Sequence, residues 1–154
     1  MPKASVKRLI ECKKKDLIDL VLDIEKYPEF VPFCFGAKIY ENKNEGDLTK
    51  IIADLTIGKG PFKDTYKSDV VFDENKDTIF VKNIEGPLNH LSNNWTFIDK
   101  KNGITEITFD IDFEIKNKFL NSLMVVSFKF GLEKIADAFQ RRAEELFGSS
   151  KNQI

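Results

Sequence analysis

The most constraining feature of this sequence is the strict alternation of apolar and polar residues in ITFDIDFEI, residues 107–115. A period of two is the period of a β-strand, because successive side chains of a strand point to opposite faces. One face of this strand is therefore dry, meaning that it faces the protein core, and the other is wet, meaning that it faces solvent. This is typical of an antiparallel sheet covered on one side. The dry side holds Ile107, Phe109, Ile111, Phe113 and Ile115, and the wet side holds Thr108, Asp110, Asp112 and Glu114.

The same period recurs in residues 49–57, 62–72, 78–84 and 91–97, and residues 5–12 predict a first strand. Short segments rich in Gly, Pro, Asn and Asp, such as GKGP and DKKNG, separate these runs and predict turns. Strands joined by such short turns pair with their neighbours along the chain. We therefore predict an antiparallel meander of about six strands after residue 37.

Helical patterns precede and follow the strands. Apolar residues recur at helical spacing between Leu17 and Ile24, and we predict Asp16 as the N-cap of this helix. The prolines of YPEFVPF (27–33) end it, so that this segment reads as one helical turn and a loop. After Lys116 the period is helical again until about Phe147. This order predicts an α+β fold in which a long C-terminal helix lies across a curved antiparallel sheet, with a ligand space between them.

Length and composition predict one domain, residues 1–154, with its core at about 3–147. The net charge of −1 argues against a DNA-binding protein. The N-terminus has no apolar signal region, and the apolar run 119–132 is shorter than the roughly 18 residues that a spanning helix needs. We therefore expect a cytoplasmic chain that does not span a membrane.

Few residues in this sequence suit catalysis or metal binding. Cys12 and Cys34 could form a disulfide, but nothing else indicates secretion, so we expect both thiols to be reduced. The single histidine, His90, has no acid beside it in GPLNHLSNNWTF (86–97), and we interpret it as a histidine at the rim of a hairpin. We predict no catalytic residue and no metal site. The acids of residues 107–115 are interpreted as a solvated stripe rather than a glycosidase pair.

Two polar residues share a predicted strand side with apolar ones. Asp64 and Ser68 lie on the same predicted strand side as Phe62, Tyr66 and Val70. A polar group on an apolar face needs a partner or a ligand. They could line a pocket, or a β-bulge could turn them to the other side.

The C-terminal helix has one stripe that suits packing on the sheet and a second apolar stripe in its first half only. The N-terminal helices or YPEFVPF could cover this second stripe. Alternatively, it could contact a membrane surface or a partner protein. The second stripe is Phe119, Leu123, Val126 and Phe130.

Three motifs, YPEFVPFC (27–34), GPLNHLSNNWTF (86–97) and DFEIKNKF (112–119), resemble the Coq10/RatA-type family of START-like domains, which are Bet v 1-like and polyketide-cyclase-like. The resemblance extends over about residues 3–147 and implies the helix-grip fold. It also implies a non-enzymatic protein that binds ubiquinone (coenzyme Q) or a related isoprenoid lipid in a hydrophobic cavity. Such a protein would support quinone delivery and cellular respiration, in peripheral contact with the inner face of the respiratory membrane.

The resemblance leaves two further functions open. One is a regulator of ribosome subunit joining, like the toxin branch of the family, and the other is an enzyme of the aromatase/cyclase type. For the lipid function we expect no covalent cofactor and a small hydrophobic ligand held by aromatic walls. The predicted cavity residues are Phe30, Phe62, Asp64, Tyr66, Ser68, Val70, Trp95, Phe97, Phe109, Ile111, Phe113, Met124, Phe128 and Ile135.

Overall fold

The computed structural model describes residues 3–59, 61–86 and 88–147, and at positions 59, 62, 88, 115 and 120–130 it describes the backbone alone. The elements follow the predicted order of strand, two helices, six strands and a long helix. They are β1 (Lys3–Ile10), α1 (Lys14–Leu22), a 3-10 helix (Ile24–Glu29), β2 (Cys34–Glu45), β3 (Leu48–Lys59), β4 (Phe62–Asp73), β5 (Thr78–Glu85), β6 (Leu88–Asp99), a 3-10 turn (Lys101–Gly103), β7 (Thr105–Ile115) and α2 (Lys118–Phe147).

The strands form one antiparallel sheet in the order β1-β7-β6-β5-β4-β3-β2. From β2 to β7 each strand pairs with the next one along the chain, which confirms the predicted meander. The first strand, β1, pairs with the last, so that Val6 lies opposite Phe109. The predicted N-cap was wrong, since α1 begins at Lys14 and Asp16 lies inside its first turn. A carboxylate there still interacts favourably with the helix dipole.

Alternation along β7 places its apolar side chains on one face of the sheet and its acids on the other, as the sequence predicts. Ile107, Phe109 and Phe113 are buried beneath the helices, whereas Asp110 and Asp112 lie on the opposite, outer face of the sheet. The same alternation in β6 buries Leu91. One face of the sheet is therefore the inner face, and α1 and α2 are its cover.

The second half of α2 packs tightly against the inner face. The ring of Phe139 lies 5.1 Å from those of Trp95 and Phe30, and 5.3 Å from that of Tyr27. Trp95 also contacts Phe109, at 4.3 Å between ring centroids. Leu132, Phe139 and Ala143 are buried. This end of the molecule is a solid core.

Polar contacts anchor the same half of α2 to the N-terminal segments. Arg8 donates to Asp137 at 3.2 Å, and the Glu11 backbone N–H donates to Glu144 at 3.1 Å. On the other side Arg142 donates to Glu29 at 2.9 Å, with its guanidinium over the Phe30 ring. These contacts fix the angle at which the helix crosses the sheet.

Phe139→Ala should lower the free energy of unfolding by about 3–5 kcal/mol, because it leaves a cavity among three aromatic rings. Phe147→Ala is the matched control on the same helix, since Phe147 is 37% exposed. This variant should lower the free energy of unfolding by less than about 1 kcal/mol. Urea unfolding followed by circular dichroism measures both. Equal losses would contradict the packing described for α2.

Candidate functional site

The region of interest is the inner face beneath the first half of α2. This helix begins at Lys118, just after β7, and in its second half Leu132 and Phe139 are buried. We call the described side chains of this area the inner surface. They are Tyr66 and Ser68 of β4, Val81 and Asn83 of β5, Leu91 and Asn93 of β6, and Ile111 and Phe113 of β7.

Strand register brings these side chains together. Ser68 lies opposite Asn83, and Val81 lies opposite Asn93. Asn93 in turn lies opposite Ile111 on β7. Because paired residues of adjacent strands point to the same face, the inner surface is continuous across four strands.

Two polar atoms of the inner surface lack partners. Ser68 is only 1% exposed, and its Oγ has no hydrogen-bond partner among the described residues. The Oδ1 atom of Asn93 is likewise buried without a partner in the described part of the chain. Asn83 differs, because its Oδ1 accepts a 2.9 Å hydrogen bond from the Leu91 backbone N–H. Buried polar atoms without partners are rare in folded proteins, and a ligand or a water molecule is one explanation for them.

The ionisable groups near this surface are held neutral. Burial raises the pKa of the Tyr66 phenol, and the neighbouring Cys34 raises it further. The Ser68 hydroxyl offsets part of that rise, although the two hydroxyls do not reach hydrogen-bond geometry. Burial also raises the pKa of Tyr27, whose hydroxyl donates to the Val21 carbonyl, and that of Cys34. The interior therefore offers hydroxyls, an amide and a thiol, all uncharged at neutral pH.

The predicted cavity residues divide into two groups. Tyr66, Ser68, Ile111 and Phe113 belong to the inner surface. The others with described side chains lie elsewhere in or against the same core, which includes Phe113 and has Tyr66 and Ile111 packed against it. Those residues are Phe30, Val70, Trp95, Phe97, Phe109 and Ile135. The side chains of Phe62, Met124 and Phe128 lie outside the described residues.

The structure places Asp64 in solvent, which corrects its predicted position in a pocket. It lies near the start of β4, opposite Ile57, at a strand end that no described helix side chain covers. Its carboxylate accepts a 2.9 Å hydrogen bond from the Thr65 backbone N–H. The pairing of β4 with β5 does have an irregularity between Lys67 and Ser68, but it does not turn Ser68 outward, since Ser68 is buried.

His90 lies on the outer face, where its Nε2 is 3.5 Å from an oxygen of Asp112. Lys3 approaches the same carboxylate at 3.8 Å. A surface depression of about 400 Å³ lies beside them, lined by Lys3, Ala4, Ser5, Ser92, Asn94, Asp110, Ile111 and Asp112. Because the whole sheet separates His90 from the inner surface, this histidine cannot act on a ligand bound there.

The second apolar stripe of α2 is only partly described. Phe119 is 68% exposed, so nothing in the described structure covers it. Leu123, Val126 and Phe130 lie outside the described side chains. Further along, a groove of about 520 Å³ runs between residues 28–32 and the Lys134–Arg141 stretch of α2. The segment before β2 also approaches α2 closely, since a Cβ at Gly131 would lie 3.6 Å from the Phe33 ring.

Sequence reasoning missed Asn93 and Tyr27. The alternation in LSNNWTF does mark Asn93, because it lies between Leu91 and Trp95 on the dry side. Tyr27 had no such signal, since it belongs to a 3-10 helix whose orientation depends on α2.

In the described ranges, no three His, Cys, Asp or Glu side chains are grouped as a metal ion would need. Both cysteines are free thiols, and both are buried. None of the helices, as far as they are described, combines the length and apolar character needed to cross a membrane.

Comparison with known proteins identifies the family. A family model described as polyketide cyclase / dehydrase and lipid transport matches residues 11–140. The ribosome association toxin RatA of Rickettsia prowazekii is 32% identical over 142 residues, which cover 90% of this chain and 94% of that protein. The mitochondrial coenzyme Q-binding protein COQ10 of Dictyostelium discoideum is 34% identical over 137 residues, covering 86% of this chain and 64% of that protein. The chain belongs to this family, and its resemblance to Coq10/RatA-type START-like domains is confirmed.

Solved structures confirm the helix-grip fold. An 18 kDa protein from Caulobacter crescentus superposes with a TM-score of 0.78 at 25% identity, covering 95% of this chain and 98% of that one. A START superfamily protein from Mycobacterium smegmatis gives 0.79 at 19% identity, with coverage of 94% and 98%. An aromatase/cyclase from Streptomyces sp. R1128 gives 0.73 at 13% identity, with coverage of 93% of each chain. For the last two structures the sequence identity is low, so their similarity to this chain shows the fold alone.

The buried Cys12 thiol predicts how the stability of this protein depends on pH. Burial, with smaller contributions from Asp16 and Glu144, raises its pKa from 9.0 to about 11. Between these values the unfolded thiol loses its proton and the folded thiol keeps it, so rising pH favours unfolding. We expect the free energy of unfolding to fall by about 1–2 kcal/mol across this window. Urea titrations from pH 8 to 11 should show a shallower fall for Cys12→Ala, and identical slopes would contradict the assignment.

Proposed function

We propose that this protein binds an isoprenoid quinone, ubiquinone or a close relative, between the inner surface and the first half of α2. The protein would act as a non-enzymatic carrier that supports quinone delivery to respiratory electron transport. The family relationship and the relative named as a coenzyme Q-binding protein support this proposal.

The observation that carries it is the make-up of the inner surface. It is formed by aliphatic and aromatic side chains such as Val81, Ile111 and Phe113, with a few uncharged polar groups, two of whose buried oxygen atoms have no partner among the described residues. An apolar surface with few polar groups suits a flat ring and a hydrocarbon tail.

Two other functions have less support from the residues. An enzyme of the aromatase/cyclase type would need an acid or base beside its substrate, and the only histidine lies on the outer face. A regulator of ribosome subunit joining is favoured by the RatA relative, which this chain matches along most of its length. Against it, Glu106 and Asp112 on the outer face of β7 pair with Lys7, Lys100 and Lys3, so this face lacks the concentrated positive charge of an RNA-binding surface.

Val81→Phe tests the proposed location. The larger ring should occupy part of the proposed ligand position and weaken the binding of a short-chain ubiquinone roughly tenfold or more, about 1.4 kcal/mol. Lys82→Phe is the matched control, because Lys82 is exposed on the outer face and should bind as the wild type does. Fluorescence titration measures affinity, and thermal unfolding shows whether each variant remains folded.

Equal affinity of the wild type and Val81→Phe would contradict this location. A wild-type protein that shows no saturable quinone binding and yields no quinone on lipid extraction would contradict the function itself. If that empty protein co-sedimented with ribosomal subunits, the RatA-like function would replace the carrier function.

The exposed start of α2 suggests how a carrier could meet its membrane. Phe119 projects into solvent beside the exposed lysines Lys116 and Lys118. An aromatic ring flanked by cations suits the boundary of an anionic bilayer, where the ring enters the interface and the lysines remain near the headgroups. We propose this corner as the peripheral membrane contact.

Phe119→Ser should reduce binding to vesicles that contain anionic lipid roughly tenfold or more, because burying a phenylalanine contributes about 1.5–3 kcal/mol. Phe80→Ser, which alters an exposed ring on β5, is the control and should bind like the wild type. Vesicle co-sedimentation measures both variants. Unchanged binding of Phe119→Ser would rule this corner out.

A further inference from the structure

We propose that Ser68 and Asn93 form a polar subsite that holds an uncharged head group carrying a hydroxyl, so that the protein binds a hydroquinone more tightly than the corresponding quinone. This inference rests on the proposed function and concerns which chemical form of the ligand the site prefers. It starts from the two buried oxygen atoms without partners, Ser68 Oγ and Asn93 Oδ1.

The positions of the two residues allow one ligand to reach both. Ser68 on β4 and Asn93 on β6 are separated by one strand, β5, and by two residues along the strand direction. Standard sheet spacings place their Cα atoms about 12 Å apart. Both side chains project from the same face of the sheet, so their oxygens are separated by a similar distance, which two hydrogen bonds of about 2.9 Å and one ring-sized head group fill. Val81, which lies between them on β5, would form the apolar floor beneath the ring.

The two oxygen atoms determine whether the ligand groups that face them must donate or accept a hydrogen bond. An amide oxygen can only accept, so the ligand group facing Asn93 Oδ1 must donate. A serine hydroxyl can donate or accept, so Ser68 serves either a hydroxyl or a carbonyl of the ligand. A hydroquinone, with two hydroxyls, satisfies both residues. A quinone carries two carbonyl acceptors, so with the amide in this orientation it pairs with Ser68 alone and gains one hydrogen bond fewer than the hydroquinone.

The charge of the surroundings excludes a charged head group. The described side chains of the inner surface are uncharged, and burial keeps Tyr66 and Cys34 protonated. A carboxylate or phosphate would therefore lose its hydration without gaining a cation on this surface. The site is thus suited to a neutral phenol-like or alcohol head and unsuited to a fatty acid or phospholipid head.

Anaerobic titrations with a short-chain ubiquinol, its quinone and a carboxylic acid of similar tail test the inference. The wild type should bind ubiquinol roughly tenfold more tightly than the quinone, which corresponds to a rise of about 30 mV in the midpoint potential of the bound couple. The acid should bind weakest. Asn93→Leu should abolish the preference for ubiquinol, and Ser68→Ala should weaken both forms roughly three- to tenfold.

Asn94→Leu and Ser92→Ala are the matched controls, because they make the same changes at neighbouring positions on the outer face. Both should retain the affinity and the preference of the wild type. Thermal unfolding of the ligand-free protein adds an independent readout. Ser68→Ala should melt at the same or a higher temperature, since it removes a buried hydroxyl that has no partner in the described structure.

The outcomes separate this inference from the proposed function. Binding of neither the quinone nor the ubiquinol by the wild type would overturn the proposed function and this inference together. Equal binding of both forms, with no effect of Asn93→Leu, would overturn the inference and leave the carrier function standing. A lower melting temperature for Ser68→Ala would show that the serine has a structural role, and would overturn its assignment to the subsite.

Discussion

The contact of Phe139 with the rings of Trp95, Phe30 and Tyr27 is the interaction on which the rest of this structure depends. It joins the long helix to the sheet and to the 3-10 helix at a single point. Edge-to-face ring packing of this kind is directional as well as apolar, so it fixes orientation in addition to contributing stability.

The interior combines aromatic packing with a few polar groups that have no partner. Around Phe139, rings from the helix, the sheet and the 3-10 helix pack together. The inner surface presents apolar side chains together with Ser68 and Asn93, whose buried atoms lack partners in the described structure. A core that served stability alone would be expected to satisfy such groups or to replace them with apolar ones. Their presence is consistent with a site that is completed by a ligand.

Much of the fold could be predicted because the strands are covered on one side only. Each wet position in residues 107–115 marks the outer face, and each dry one marks the inner face. The same reasoning failed for Asp64, which has the register of an inner residue but lies at a strand end beyond the cover. Alternation reports which side a residue faces, and it does not report whether anything packs above it. For the same reason, Trp95 and Ile111 look alike in sequence although Trp95 is buried against the Phe139 ring and Ile111 is only partly buried.

The sequence by itself determined the order of the elements, the inner face of each strand and the family, because these depend on local periodicity and on short motifs. Only the tertiary structure decided which inner residues pack together and which polar groups remain without partners, since both depend on where α2 crosses the sheet. That crossing is set by contacts between residues more than 40 positions apart in the chain, such as Phe139 with Trp95 and Arg8 with Asp137. Contacts at such separations leave no periodic trace in the sequence.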